Sequence, residues 1–231
     1  GGAPPITSDP PFHHMARRVL LPAFAPKKID PWESEVRALC RRLLDGLGEV
    51  TPGETIIDAA VQYAQHLPVN GIDTTWSAIG SSLWHLAQHP EDHQRLLDDP
   101  EVMTFALEEF LRAYAPVTMA RLVAQDHDFH GCPMKKDDWV LLAFPAANRD
   151  PLKFEDPDTF VIDRAENRHA AFGLGIHRCV GSNLARLELK VAIEEFIKRF
   201  PRFELAGDTR WSVGMVRGPR EIPVRILDVA D

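Results

Sequence analysis

The chain has 231 residues, a formal charge of −8, and 45% hydrophobic and 26% charged residues. That is enough for one large domain with its own core, and the acidic balance argues against a dedicated nucleic-acid binder. No stretch approaches the ~18 consecutive apolar residues of a membrane span. Gly1-Gly2-Ala3-Pro4-Pro5 lacks the basic and apolar regions of a signal peptide.

Cys40, Cys132 and Cys179 are odd in number and widely spaced. They form neither a disulfide framework nor a C-x-x-C zinc site, so a cytoplasmic location is expected. There is no internal repeat and no low-complexity run.

In chain order, a helix is predicted from His13 to Leu21. Asp30-Pro31-Trp32-Glu33 supplies an N-cap, a proline at N1 and an acid at N3. Trp32, Val36, Leu39, Leu43, Leu44 and Leu47 then recur at helical spacing, with Cys40 on the core face. A second helix runs over 73–88 and stops at His89-Pro90; a short one follows from about Glu91 to Leu97. Asp99-Pro100 opens another, with Met103, Leu107, Phe110, Leu111 and Tyr114 on one face and Pro116 at its end. His85, His89 and His93 read as helix-surface residues without a role. Residues 121–144 hold short β-like runs around a Gly131 turn, strongest from Trp139 to Phe144. From Pro145 to His169 there is little periodicity, and loops this long in a compact domain are usually functional. A glycine-rich loop, a helix over 181–200 and a strand at 222–227 complete a mainly α chain with a minor sheet.

The glycine-rich loop, Ala171-Phe172-Gly173-Leu174-Gly175-Ile176-His177-Arg178-Cys179-Val180-Gly181, carries the chemistry. A cysteine at a helix N-terminus meets the positive end of the dipole and unpaired amides, which favours a thiolate. Glycines at 173, 175 and 181 let the backbone turn tightly and approach a flat ligand. A dinucleotide loop would need glycine where Arg178 stands and a βαβ unit around it. From the cysteine alone, a buried structural thiol would be favoured.

The full pattern F-G-x-G-x-H-x-C-x-G resembles the haem-thiolate loop of the cytochrome P-450 monooxygenases, of the soluble bacterial type. Three further segments match family signatures in the same order. Glu109-Phe110-Leu111-Arg112 is similar to its E-x-x-R. Gly71-Ile72-Asp73-Thr74-Thr75 is similar to its oxygen-activation motif. Asp9-Pro10-Pro11-Phe12-His13-His14-Met15-Ala16-Arg17 is similar to its D-P-P-x-H-x-x-x-R segment. Residues 71–226 resemble a normal member throughout, with wording nearest to bacterial members fused to their own reductase.

The resemblance implies a single multihelical haem-binding domain over 1–231, with haem b (iron protoporphyrin IX) as cofactor. It implies Cys179 as the iron ligand, Phe172 beside its sulfur, and Gly181 at the close approach. His13, Arg17, Arg121 and His177 would hold the haem propionates. Glu109 and Arg112 would form a structural clamp; their bland alternative is a helix-surface ion pair. The clamp's further basic partner would be Arg164, because Thr159 stands where the family often has arginine. Val117, Thr118 and Met119 would line the substrate side. Asp73 and Thr74 would guide protons for dioxygen cleavage, against the bland reading of Asp73 as an N-cap. Electrons would come from a ferredoxin or flavin reductase docking on Arg17, Arg18, Arg178 and Arg186, and the substrate would be a small organic molecule.

The chain departs from the pattern in length. Tyr63–Val69 runs directly into Asn70-Gly71, where the family has several helices, so an excision junction is expected near 69–71. The helix would then begin at about Asp73, and part of the roof over the distal haem face would be missing. Three readings follow. One is a monooxygenase. Another is a haem module, peroxide-driven oxidant or sensor with little monooxygenase activity. The third is a fragment without haem whose exposed apolar surface invites self-association.

Overall fold

The computed structural model describes residues 6–56 and 72–230; the expected junction at 69–71 lies outside them. Helix α1 (Phe12–Leu20) carries Arg17 and Arg18 in its last turn. A short α2 (Pro26–Ile29) passes through a 3-10 turn at Asp30–Trp32 into α3 (Glu33–Asp45). The cap expected at Asp30 does not form. The chain arrives already helical, and the Glu33 amide finds the Asp30 carbonyl rather than a side chain. α3 buries Cys40 and Leu44.

Helix α4 (Ile72–Leu86), α5 (Pro90–Asp98) and α6 (Met103–Ala113) follow the predicted breaks. The Asp99 carboxylate accepts from the Glu101 amide and starts the 3-10 turn that leads into α6. In α4 the hydroxyls of Ser77, Ser81 and Ser82 donate to carbonyls four residues back. Their burial therefore leaves no unmade bond. Two expectations fail here: His85 and His93 are buried, not on the surface. His85 packs among Phe110, Tyr114 and Phe160, and His93 lies against Phe203.

After a short α7 (Phe144–Ala147), the long helix α8 (Ser182–Arg199) forms the centre of the core. Leu189, Val191, Ala192, Ile193, Phe196 and Ile197 are buried against the surrounding helices. Fully burying each of the larger side chains contributes roughly 1.5–3 kcal/mol. Along its flank, Arg37 of α3 donates to Glu194 and Glu195, and Arg41 donates to Glu195.

The sheets are small and antiparallel. β1 (Thr55–Ile56) and β6 (Arg202–Leu205) both pair with β9 (Val224–Asp228). β2 (Thr118–Leu122) pairs with β5 (Trp139–Ala143), and β3 (His127–Phe129) with β4 (Cys132–Met134) around Gly131. β7 (Arg210–Trp211) pairs with β8 (Pro219–Glu221). Just before β8 the chain lies flush on α4. A Cβ on Gly218 would sit 2.3 Å from the Ser77 Cβ, so only glycine permits this approach.

Glu109 and Arg112 are both fully buried. Arg112 Nε and Nη2 each lie 2.7 Å from a Glu109 carboxylate oxygen. The remaining guanidinium N–H groups donate to the carbonyls of Asn148, Pro157 and Thr159. Glu109 also accepts from the Val161 amide, Arg164 Nε and Asn167 Nδ2. Arg164 thus reaches the pair, while Thr159 offers only its carbonyl. Burial alone would raise the Glu109 carboxyl; the bonds from Arg112 and the Val161 amide outweigh it and hold it low. The aperiodic segment 148–167 is ordered through these bonds.

A second carboxylate, Glu108, takes a two-pronged bond from Arg186 at 2.6 and 2.8 Å and one from His169. Burial pushes its carboxyl up, but Arg186 and His169 bring it down from 4.5 to about 2.

Two outcomes are expected. Arg112→Ala takes from the buried Glu109 carboxylate its two-pronged partner, leaves it only Arg164 as a cation, and costs about 3–5 kcal/mol in a denaturant titration. Because the folded Glu108 carboxyl lies below its unfolded value, its stabilisation is complete above pH 4.5 and lost as pH falls toward 2. Denaturation midpoints measured across that window should fall more steeply in the parent chain than in Glu108→Gln.

Candidate functional site

The cysteine loop is built from short-range bonds. The Gly173 amide donates to the Ala170 carbonyl, and the Cys179 amide donates to the Phe172 carbonyl at 2.8 Å, closing the loop on itself. Gly173 and Gly175 sit at φ +69° and +70°, where a side chain would be strained. A 3-10 turn at Gly175–His177 then delivers Cys179, whose free thiol is exposed. Helix α8 begins three residues later with Gly181 in the cap position and no side-chain cap. Its first-turn amides thus have no cap side chain to bond. A methyl on Gly181 would stand 3.9 Å from Cys179 Sγ, an ordinary contact, so the space itself does not demand glycine there.

Helix α1 docks onto this loop. The His13 and His177 rings meet at 4.2 Å. Arg17 Nη2 donates to the Arg178 carbonyl at 2.6 Å, and Asn183 Nδ2 donates to the Phe24 carbonyl at 2.9 Å. An open cleft of about 360 Å³ is lined by His13, His14, Arg17, Arg18, Leu21 and Ile176. Burial, then the nearby His177 and Arg17, hold the His13 imidazole below its ordinary value. His13 Nδ1 is buried and has no hydrogen-bond partner among the described residues.

These observations fit the cofactor that the resemblance implies. A flat dicarboxylate needs cationic and N–H groups at its rim. It also needs an accessible sulfur for the iron. The orphaned His13 nitrogen, Arg17 and His177 could supply such a rim, and Cys179 such a sulfur.

The other sequence candidates are placed as follows. Phe172 is partly buried, with the Arg186 guanidinium 4.6 Å from its ring centre. Arg121, on β2, folds back on its neighbour, the Ala120 carbonyl. Val117 bridges to Val216, Thr118 donates its amide to the Met215 carbonyl, and Met119 faces Leu142 across β5. Thr74 is partly buried near the start of the described α4, and Asp73 is exposed. The Asp73 carboxylate takes the Trp76 indole N–H and pairs with Arg220 at 2.8 Å. Arg186, expected on a basic docking face, is neutralised by Glu108; Arg18 and Arg178 remain exposed. Sequence reasoning passed over Arg220, Glu108 and His169, since no local spacing links them to their partners.

A family model described as Cytochrome P450 matches residues 58–212, more than half of the chain. The polyketide biosynthesis cytochrome P450 PksS of Bacillus subtilis is 39% identical over 166 residues, covering 69% of this chain and 41% of that protein. Cytochrome P450 107B1 of Saccharopolyspora erythraea is 37% identical over 207 residues, covering 87% of this chain and 50% of that protein. The solved structure of PksS superposes with a TM-score of 0.86 and 25% identity, covering 96% of this chain and 81% of that one. The chain therefore spans half or less of the curated relatives named here. Members of the matched family bind haem b. With the cysteine loop, the mainly α architecture and these matches in agreement, the chain belongs to the cytochrome P450 family.

Proposed function

We propose that this chain is the haem-holding body of a monooxygenase that inserts one oxygen atom from O₂ into a small organic substrate. The observation that carries the reading is the exposed Cys179 thiol at the uncapped start of α8, beside a rim of His13, Arg17 and His177. Haem, when bound, supplies the dioxygen binding and redox chemistry. Cys179 would hold the iron through its sulfur, with Phe172 and Gly181 beside that sulfur. His13, Arg17 and His177 would take the propionates, and Arg121 would join them on leaving the Ala120 carbonyl. Val117, Thr118 and Met119 face the substrate.

The Asp73 carboxylate passes protons from water to the Thr74 hydroxyl, with Arg220 and Trp76 holding it in place. General acid–base help of this kind is worth about 10²–10⁴-fold. Electrons come from a ferredoxin or flavin reductase in the cytoplasm that docks near Arg18 and Arg178. Named relatives include a mycinamicin IV hydroxylase/epoxidase and a steroid C26-monooxygenase. Their names support an organic substrate.

A second reading concerns the residues of this chain taken alone, which span 41% and 50% of two curated relatives: a haem module or peroxide-driven oxidant with little monooxygenase activity.

The first test is spectroscopic. Haem-reconstituted chain, reduced and exposed to CO, should show the red-shifted band of thiolate ligation, and Cys179→Ser should lose it. Failure of the parent chain to hold haem or give that band overturns both readings. The second test separates them. Under the first reading, Thr74→Ala lowers NADPH-driven product formation by about 10²-fold or more. Equal peroxide-driven turnover in the parent and the variant, without NADPH-driven turnover in either, supports the second.

A further inference from the structure

Away from the cysteine loop, three metal-competent side chains converge where α4 gives way to α5. His85 stands on the last turn of α4. His89 follows one turn later, and its amide donates to the His85 carbonyl at 3.0 Å, so both imidazoles emerge on one side. Their rings stack at 4.2 Å and 18°. Asp92, in the first turn of α5, brings Oδ2 to 2.8 Å from His85 Nε2. One donor atom from each of the three lies within 4.8 Å of the others.

The surroundings suit an ion as well as the donors do. His85 Nδ1 is 2.7 Å from the Tyr114 hydroxyl. That is the outer partner a ligating histidine needs to hold its ring and tautomer. Phe110 and Phe160 wall the buried side. His89 is 45% exposed, which leaves an entrance from solvent, and Glu91 Oε1 adds negative charge 3.2 Å from His89 Nδ1. None of these contacts involves the cysteine loop.

We propose that His85, His89 and Asp92 form a binding site for a divalent transition-metal ion of the zinc type, with Tyr114 as outer partner. Two imidazoles and one carboxylate match zinc-like ions, whereas calcium and magnesium prefer sites built mainly from oxygen. Bonds of about 2.0–2.1 Å in a tetrahedron place donors roughly 3.3 Å apart. The His85–Asp92 pair needs only a slight opening, and His89 turns inward from its half-exposed position. The ion replaces the hydrogen now shared by His85 Nε2 and Asp92. The ring proton then sits on Nδ1 and is donated to the Tyr114 oxygen. The fourth position stays open to water. Such an ion would tie the end of α4 to the start of α5.

Cobalt(II) titrated into the untagged full chain is the direct probe, because its spectrum reports ligand type. The expected result is one ion per chain with the visible bands of nitrogen and oxygen ligands, displaced by zinc. It lacks the intense near-ultraviolet sulfur band that ligation by Cys179 or Cys132 would give. His89→Ala and Asp92→Asn, both at positions reached by solvent, should each weaken cobalt binding at least about tenfold. Zinc should raise the thermal unfolding midpoint of the parent chain and leave that of the two variants unmoved. Absence of binding, binding only with the sulfur band, or unchanged affinity in both variants overturns the proposal. If a variant fails to fold, the parent's one-to-one stoichiometry and sulfur-free spectrum decide.

Discussion

Removing a carboxylate and a guanidinium from water costs several kcal/mol per ion, and their attraction repays this only when every remaining lone pair and proton is matched. The buried Glu109–Arg112 pair meets that condition. All five Arg112 N–H groups are engaged: two bond Glu109, and three bond carbonyls of the irregular segment after α7. Glu109 in turn accepts from that segment through Val161, Arg164 and Asn167. A stretch with no ladder of its own would otherwise leave backbone groups unmatched. The pair therefore acts as the template on which this stretch folds, not as a surface bridge.

The cysteine loop inherits its position from the same place. Asn148 donates to the Arg112 carbonyl and accepts the Ala170 amide, joining α6 to the first residues of the loop. Downstream, Arg186 on the second turn of α8 grips Glu108, the neighbour of Glu109 on α6. The loop is thus pinned on both sides to one helix, and α1 closes over it through Arg17 and the His13–His177 contact. Tyr114, just past the clamp helix, leads to the His85–Asp92 cluster. Two separate polar sites therefore hang from the same short helix.

Much of this was legible without coordinates where the physics is local. Periodicity placed α3 and α6 because one apolar face per helix must be buried. Pro90, Pro100 and Pro116 marked breaks because proline cannot continue a helix interior. The cysteine loop was readable because its glycines, turn and helix start are neighbours in sequence. The Asp30 cap was misread because the residues before it were already helical, which local composition does not announce. His85 and His93 were misread because α4 and α5 are covered on faces that look polar in a helical projection. Arg186 passed for a free surface charge because Glu108 lies far away along the chain.

By itself the sequence determined the mainly α class, the order of the helices, the cysteine loop and the likeness that it carries. These depend on spacing, on backbone stereochemistry and on residue types within a few positions of each other. Only the tertiary structure decided which charges are buried and which bonds they make. It alone put Arg164 on Glu109, Arg220 on Asp73, and His85 between Tyr114 and Asp92. The reason is physical. Desolvation and long-range hydrogen bonding depend on what the folded chain brings alongside a residue, and that is not written in its neighbours.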